Sequence, residues 1–173
     1  MIGIRKNKDF LSHFENQEFI PVIMPVVFTN GLGQVRALGK KGIKSLAVSP
    51  DPKDLTFYSR YPFCYHIANP WENEGLFMDE LLQIGTKLRG RGILFLSAPE
   101  LYLPMLWKYK EEIEKTFILP FNMETIFRLE DKENQINAAK QAGLHVSPTI
   151  FLKSGDVVEI SVDRIGTLTN IVA

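Results

Sequence analysis

The sequence has very little cysteine, little histidine and no excess of either charge. Its 173 residues include one cysteine, Cys64, which excludes an internal disulfide and a cysteine-based zinc site. The chain has 20 basic residues (lysine plus arginine) and 20 acidic residues (aspartate plus glutamate). It therefore lacks the excess of basic residues that is typical of proteins that bind nucleic acids or anionic membranes. No apolar run approaches the ~18 residues of a membrane span. We therefore expect a soluble, cytoplasmic protein with neither a nucleic-acid nor a membrane partner.

The residues most often used in catalysis and metal binding form no recognisable constellation. His13, His66 and His145 are scattered, and none has a metal-ligating residue three or four positions further on. Cys64 lies in a strand-like run, which favours a buried, inert thiol. The sequence contains no nucleophile elbow and no P-loop. We therefore assign no catalytic residue and no metal ligand.

Strand-like and helix-like segments alternate along most of the chain. This alternation predicts an α/β fold with a Rossmann-like parallel sheet covered by helices on both faces. Pro25 predicts an edge position or a bulge for the first strand. Ligands of such sheets bind at the carboxyl ends of the strands. The predicted strands are residues 22–28, 43–48, 63–68, 93–96 and 117–119, and the predicted helices are 31–40, 76–88 and 100–115.

The two ends of the chain differ from this pattern. We predict a helical extension at residues 1–18 and the sheet domain at residues 19–120. For residues 121–173 we predict a linker with the incomplete beginning of an α+β domain. In the last part we expect helices at 125–129 and 132–142, then a hairpin that pairs 149–152 with 157–160. Two strands alone are marginally stable in water. A second copy of the chain could cover them, which would make a homodimer.

A glycine-containing segment follows the first predicted strand, with the sequence TNGLGQVRALG at residues 29–39. Unpaired backbone N–H groups in a turn before a helix attract anions, although an ordinary tight turn explains the pattern equally well. Gly31 and Gly33 match the first two glycines of the dinucleotide fingerprint, but Arg36 occupies the third position. The matching acid after the second strand would be Asp51 or Asp54. This mismatch disfavours an NAD-dependent oxidoreductase.

Three basic residues are candidates for binding an anion. Arg36 could reach back to the glycine turn or point to solvent. Arg60 could grip an oxyanion through two parallel hydrogen bonds or form a structural ion pair. Lys132 follows Asp131, a predicted helix N-cap, where a cation opposes the helix dipole. It is either held there for an anion or simply exposed.

The order of several segments resembles the front part of ATP-grasp ligases, in the branch with D-aspartate ligase and the large subunit of carbamoyl-phosphate synthase. The similarity covers roughly residues 20–152. The segments that carry it are NGLGQVRALGKKGI at 30–43, SPDP at 49–52, FYSRY at 57–61, LFLS at 94–97, LEDK at 129–132 and AKQAGLHVSPT at 139–149.

The resemblance implies a pre-ATP-grasp domain whose first loop faces the acceptor, a small-molecule carboxylate or amine. It implies substrate-binding roles for Asn30, Gly31, Gly33, Arg36 and Arg60, and a contact of Lys132 with a nucleotide phosphate. Where relatives often have an aspartate after the fourth strand, Glu100 stands as a substitute.

The resemblance also implies that part of the ligase is missing from this sequence. The second phosphate lysine, the adenine hinge and the magnesium ligands of the family would lie beyond residue 173, in the same chain or in a split subunit. We therefore expect ATP and Mg²⁺ to act in the complete ligase and not to bind this chain tightly. The alternative is a stand-alone nucleotide- or metabolite-binding module.

Overall fold

The computed structural model describes residues 10–26, 28–97 and 99–172. The chain divides into two compact units, residues 1–127 and 128–173. The first nine residues of the predicted extension lie outside the described part. None of the described helices is long and apolar enough to cross a membrane.

The first unit is an α/β structure with a four-stranded parallel sheet flanked by helices, consistent with a Rossmann-like fold. The strand order is β3-β2-β1-β4, and every pairing is parallel. The strands are β1 Ile20–Met24, β2 Leu46–Ser49, β3 Phe63–His66 and β4 Gly92–Leu96. The helices are α1 Phe28–Lys40, α2 Glu74–Leu88, α3 Pro99–Lys108, α4 Lys110–Thr116 and α5 Met123–Arg128, with 3₁₀ turns at Leu11–Phe14 and Leu55–Tyr58.

Alternate residues of the strands build two separate cores, one on each face of the sheet. Val22 and Met24 point into the larger core, whereas Ile23 points into the smaller one. Both faces are therefore apolar, which is the pattern expected of a parallel sheet covered on two sides. Phe10 and Phe14, from the N-terminal segment, are buried in the larger core.

The first strand lies in the centre of the sheet, so the edge position predicted from Pro25 is wrong. β1 pairs with β2 on one side and with β4 on the other. Pro25 follows the last residue of the strand, and Pro21 precedes the first residue paired with β2, Val22. Neither proline therefore has to donate a hydrogen bond in the middle of that ladder. Residue 27 of the predicted strand lies outside the described part.

Two further predictions for this unit need correction. The helix predicted at 100–115 is divided, because Tyr109 takes the non-helical dihedral angles φ −108° and ψ 24°. The fifth strand is reduced to a single parallel bridge between Ile93 and Ile118. The other predicted strands and helices of this unit are present, with shifted ends.

The second unit contains a helix and a hairpin, α6 Lys132–Gln141 with β5 Val157–Val162 and β6 Gly166–Ile171. The predicted pairing of 149–152 with 157–160 is wrong. β5 pairs with β6 over six residue pairs, and its turn places Arg164 at a φ of 63°. Side-chain hydrogen bonds between Ser161 and Thr167, at 2.8 Å, and from Thr169 to Glu159, at 3.4 Å, stabilise this register. None of the described residues of this unit is buried.

Gly31 lets α1 pack closely against the end of the first strand. A Cβ atom at this position would lie 2.5 Å from Val26 Cα, whereas a Cβ at Gly33 would meet nothing within 4 Å. We expect Gly31→Ala to destabilise the protein by about 1–3 kcal/mol through overpacking. Gly33→Ala should be neutral or stabilising by up to ~1 kcal/mol, because alanine favours a helix.

Chemical denaturation of the two variants measures this difference. Equal free energies of unfolding for Gly31→Ala and Gly33→Ala would show that the close contact is not a constraint.

Candidate functional site

The carboxyl ends of the four parallel strands meet at one edge of the sheet. Open α/β sheets bind their ligands at this edge, near the point where the order of the strands reverses. Here that point lies between β1 and β4, because the chain moves from β1 to β2 in one direction and later returns to place β4 on the other side. The first turns of α1 and α3 border it.

The glycines of the predicted turn lie inside a helix. Strand β1 ends at Met24 and α1 begins at Phe28, so Gly31 and Gly33 belong to α1. The predicted strand-end loop of glycine N–H groups is therefore wrong. Gly31 serves the close packing described above, and Gly33 is exposed on the helix surface.

Asn30 and Ser97 connect the two sides of the reversal point. The Asn30 Nδ2 donates to the carbonyl oxygen of Ser97 at 3.4 Å, and the Ser97 hydroxyl donates to the carbonyl oxygen of Pro25. Ser97 is buried. The sequence signal for Ser97 is weak, because it consists of a small polar residue directly after an apolar strand.

Glu100 lies on the same edge as Asn30. It is exposed in the first turn of α3, whereas Asn30 lies in the first turn of α1. A carboxylate at a helix N-terminus is stabilised by the helix dipole. The edge therefore offers a carboxylate and an amide oxygen, which are groups that an ammonium or amino group of a ligand can contact.

Arg60 contacts a tyrosine near the start of β3, and Arg36 lies near enough for its charge to act on the same hydroxyl. The Arg60 guanidinium donates to the Tyr61 hydroxyl at 3.3 Å and lies over its ring, 5.1 Å from the centroid. This hydrogen bond lowers the pKa of Tyr61, and the positive charges of Lys40 and Arg36 lower it further. Because Tyr61 precedes β3, this basic cluster lies toward the amino edge of the sheet, away from Asn30 and Glu100.

Lys132 belongs to the second unit. Asp131 caps α6 as predicted, since its Oδ1 accepts from the N–H of Asn134 at 3.0 Å. Lys132 is exposed, and its ammonium donates to the Gln135 side chain at 3.3 Å. A phosphate would have to compete with this neutral partner.

Of the two candidate acids after β2, one is used by the fold. The Asp54 side chain is buried, accepts from the N–H of Thr56 at 2.8 Å and accepts from the Ser49 hydroxyl at 3.1 Å. Asp51 is exposed at the carboxyl edge. Asp54 is therefore a structural carboxylate, and Asp51 is the accessible one.

Cys64 and His66 have surroundings typical of structural side chains. Burial, together with the nearby Asp54 carboxylate, raises the pKa of Cys64 to about 11, which makes the reactive thiolate scarce at neutral pH. His66 Nε2 lies 3.0 Å from the carbonyl oxygen of Pro50. Within the described ranges, no three histidine, cysteine or acidic residues come together to hold a metal ion.

The chain matches no protein-family model, and a search of curated proteins finds no significant similarity.

The basic cluster makes a prediction about the ionisation of Tyr61. Its pKa should lie below that of Tyr65 and Tyr102, whose pKa values are raised by burial. Arg60→Gln should raise the pKa of Tyr61, because it removes the charged hydrogen-bond donor. NMR titration of ¹³C-labelled tyrosine rings measures these pKa values. An unchanged pKa of Tyr61 in the Arg60→Gln variant would contradict the contact between the two side chains.

Proposed function

We propose that this chain forms the substrate-side portion of an ATP-dependent carboxylate–amine ligase of the ATP-grasp type. Residues 19–120 would be its pre-ATP-grasp domain, and residues 121–173 its linker and the opening of its ATP-grasp domain. In such a ligase a carboxylate attacks the terminal phosphate of ATP and forms an acyl phosphate with release of ADP. An amine then attacks the acyl carbon and inorganic phosphate leaves.

The main support for this proposal is the position at which the chain divides into two compact units. A Rossmann-like unit reaches residue 127, and the next unit begins at Arg128, next to the LEDK segment on which the resemblance places the start of the ATP-grasp linker. This second unit buries none of its described residues. A helix and a hairpin without a core of their own suit the first part of a larger domain.

The residues of this chain would not hold ATP and Mg²⁺ by themselves. Lys132 supplies one cation, and the described residues offer no cluster of ligands for Mg²⁺. Phosphoryl transfer requires several charges around the phosphate oxygens. The proposal therefore assigns most of the nucleotide site to a further portion, in the same chain or in a separate subunit.

The proposal divides the substrate contacts between two places. Asn30 and Glu100, at the carboxyl edge, would bind the amino group of the acceptor. Arg36 and Arg60, beside Tyr61, would bind a carboxylate or phosphate oxyanion. Lys132 would contact a nucleotide phosphate.

A stand-alone nucleotide- or metabolite-binding module is the second candidate. The structure of the first unit favours this candidate, because helices of the same unit cover both faces of its sheet and bury a core on each. Calorimetry of the chain with Mg-ATP distinguishes the two candidates. The ligase proposal expects no tight binding, whereas the module would bind without a further portion.

Lys132 and Lys140 form a matched pair for testing the ligase proposal. Both are exposed on α6, at its first and last turns. In the complete ligase that contains this chain, Lys132→Ala should raise KM for ATP roughly ten- to a hundredfold, the effect of one charged hydrogen bond. Lys140→Ala should leave KM for ATP unchanged.

A substitution at the acceptor site should affect the amine and not ATP. Glu100→Gln should raise KM for the amine and leave KM for ATP unchanged. Release of ADP and trapping of the acyl phosphate with hydroxylamine measure the two steps. Equal effects of Lys132→Ala and Lys140→Ala on ATP, or the absence of a trapped acyl group, would contradict the proposal.

A further inference from the structure

A pocket of about 380 Å³ opens at the carboxyl edge of the sheet, within the first unit. It lies between the loop after β2, the loop after β3 and the first turn of α3. Its size is at the lower end of the range for small-molecule sites. Apolar walls come from two prolines of the β2 loop and from Leu101, and aromatic walls from Trp71 and Tyr102.

Trp71 presents a large aromatic surface to this pocket. Its side chain is 63% exposed, yet its ring leans on Tyr102, with centroids 5.7 Å apart and planes inclined by 55°. Tyr102 is buried and packs in turn on Phe77 at 6.0 Å. The exposed indole is therefore supported from below by the core.

The loop that carries Trp71 is held in place by Asn69. The Oδ1 of Asn69 accepts from the N–H of Trp71 at 3.1 Å, and its carbonyl oxygen accepts from Glu72 and Asn73 at 3.1 and 3.0 Å. The Nδ2 of Asn69 also donates to the Glu72 carboxylate at 3.0 Å. A ligand would therefore meet a pre-formed surface and would not have to order the loop.

Asp51 is the one formally charged residue among those that line the pocket. Its Oδ1 accepts from the N–H of Lys53 at 2.8 Å. Among the residues that the structure describes, nothing donates to its Oδ2. The lining of the pocket therefore includes one negatively charged side chain and an electron-rich indole ring.

We propose that this pocket binds a small organic ammonium ion, with the methyl or methylene groups of the cation against Trp71 and its charge near Asp51. The face of an indole attracts cations more strongly than any other aromatic side chain, and aromatic surfaces are the usual partners of quaternary ammonium groups. Apolar walls suit the carbon shell of such an ion. The carboxylate disfavours anionic ligands. This inference is independent of the proposed ligase function.

Choline is a suitable probe, and its neutral carbon isostere 3,3-dimethyl-1-butanol is the matched control. Calorimetry of the full chain should give a dissociation constant for choline of roughly 1 mM or tighter, and the isostere should bind roughly tenfold more weakly. Trp71→Ala should weaken choline binding roughly tenfold, and Asp51→Asn should weaken it severalfold. Both side chains are exposed, so circular dichroism should show an unchanged fold.

Trp107→Phe is the matched tryptophan control, because Trp107 lies outside the pocket and stacks on Phe127 at 4.6 Å. This variant should bind choline as the wild type does. Equal affinities for choline and its isostere, a Trp71→Ala variant that still binds, or no binding at 20 mM choline would each overturn the proposal. Tighter binding of adenosine that also depends on Trp71 would assign the pocket to a nucleobase instead.

Discussion

The burial of β1 on both faces is the constraint on which the rest of the first unit depends. The strand occupies the middle of the sheet, and its side chains alternate between the two cores. Because β1 ends at Met24 and β4 at Leu96, the first turns of α1 and α3 come together at the carboxyl edge. The hydrogen bonds of Asn30 and Ser97 then fix that edge, where the pocket beside Trp71 also opens.

The alternation of strands and helices can be predicted from the sequence. Which glycines are needed for close packing cannot, because that depends on which segments meet in three dimensions. A glycine pair after an apolar run is typical of a phosphate-binding turn, yet Gly31 is required by the close approach of a helix to Val26. The pairing of the hairpin is also not determined by the sequence pattern, since 149–152 and 166–171 are both apolar enough to pair with β5. Nor does residue order alone indicate that Arg60 contacts Tyr61 while Asn30 and Glu100 lie at the opposite edge.

The hairpin of the second unit has one face that is richer in apolar side chains than the other. The pairing register places Val158, Ile160, Val162 and Leu168 on one face together with Asn170. The other face carries Glu159, Ser161, Thr167 and Thr169, with Val157 and Ile171 at its end. Ile160, Val162 and Leu168 remain about half exposed. A surface of this kind is stabilised when another sheet, helix or copy covers it. This is why the proposed function assigns the hairpin to a larger domain.

The central claim is that β1 is stabilised by a core on each face of its sheet, whereas the exposed hairpin of the second unit has no such core and, under the proposed function, would be covered by a further portion. Hydrogen–deuterium exchange of the chain alone tests this most directly, because exchange of core strands follows global unfolding and exchange of unsupported strands follows local opening. We predict slow exchange for β1 and β4 and fast exchange for β5 and β6. Equal protection of the hairpin and β1 would contradict the account.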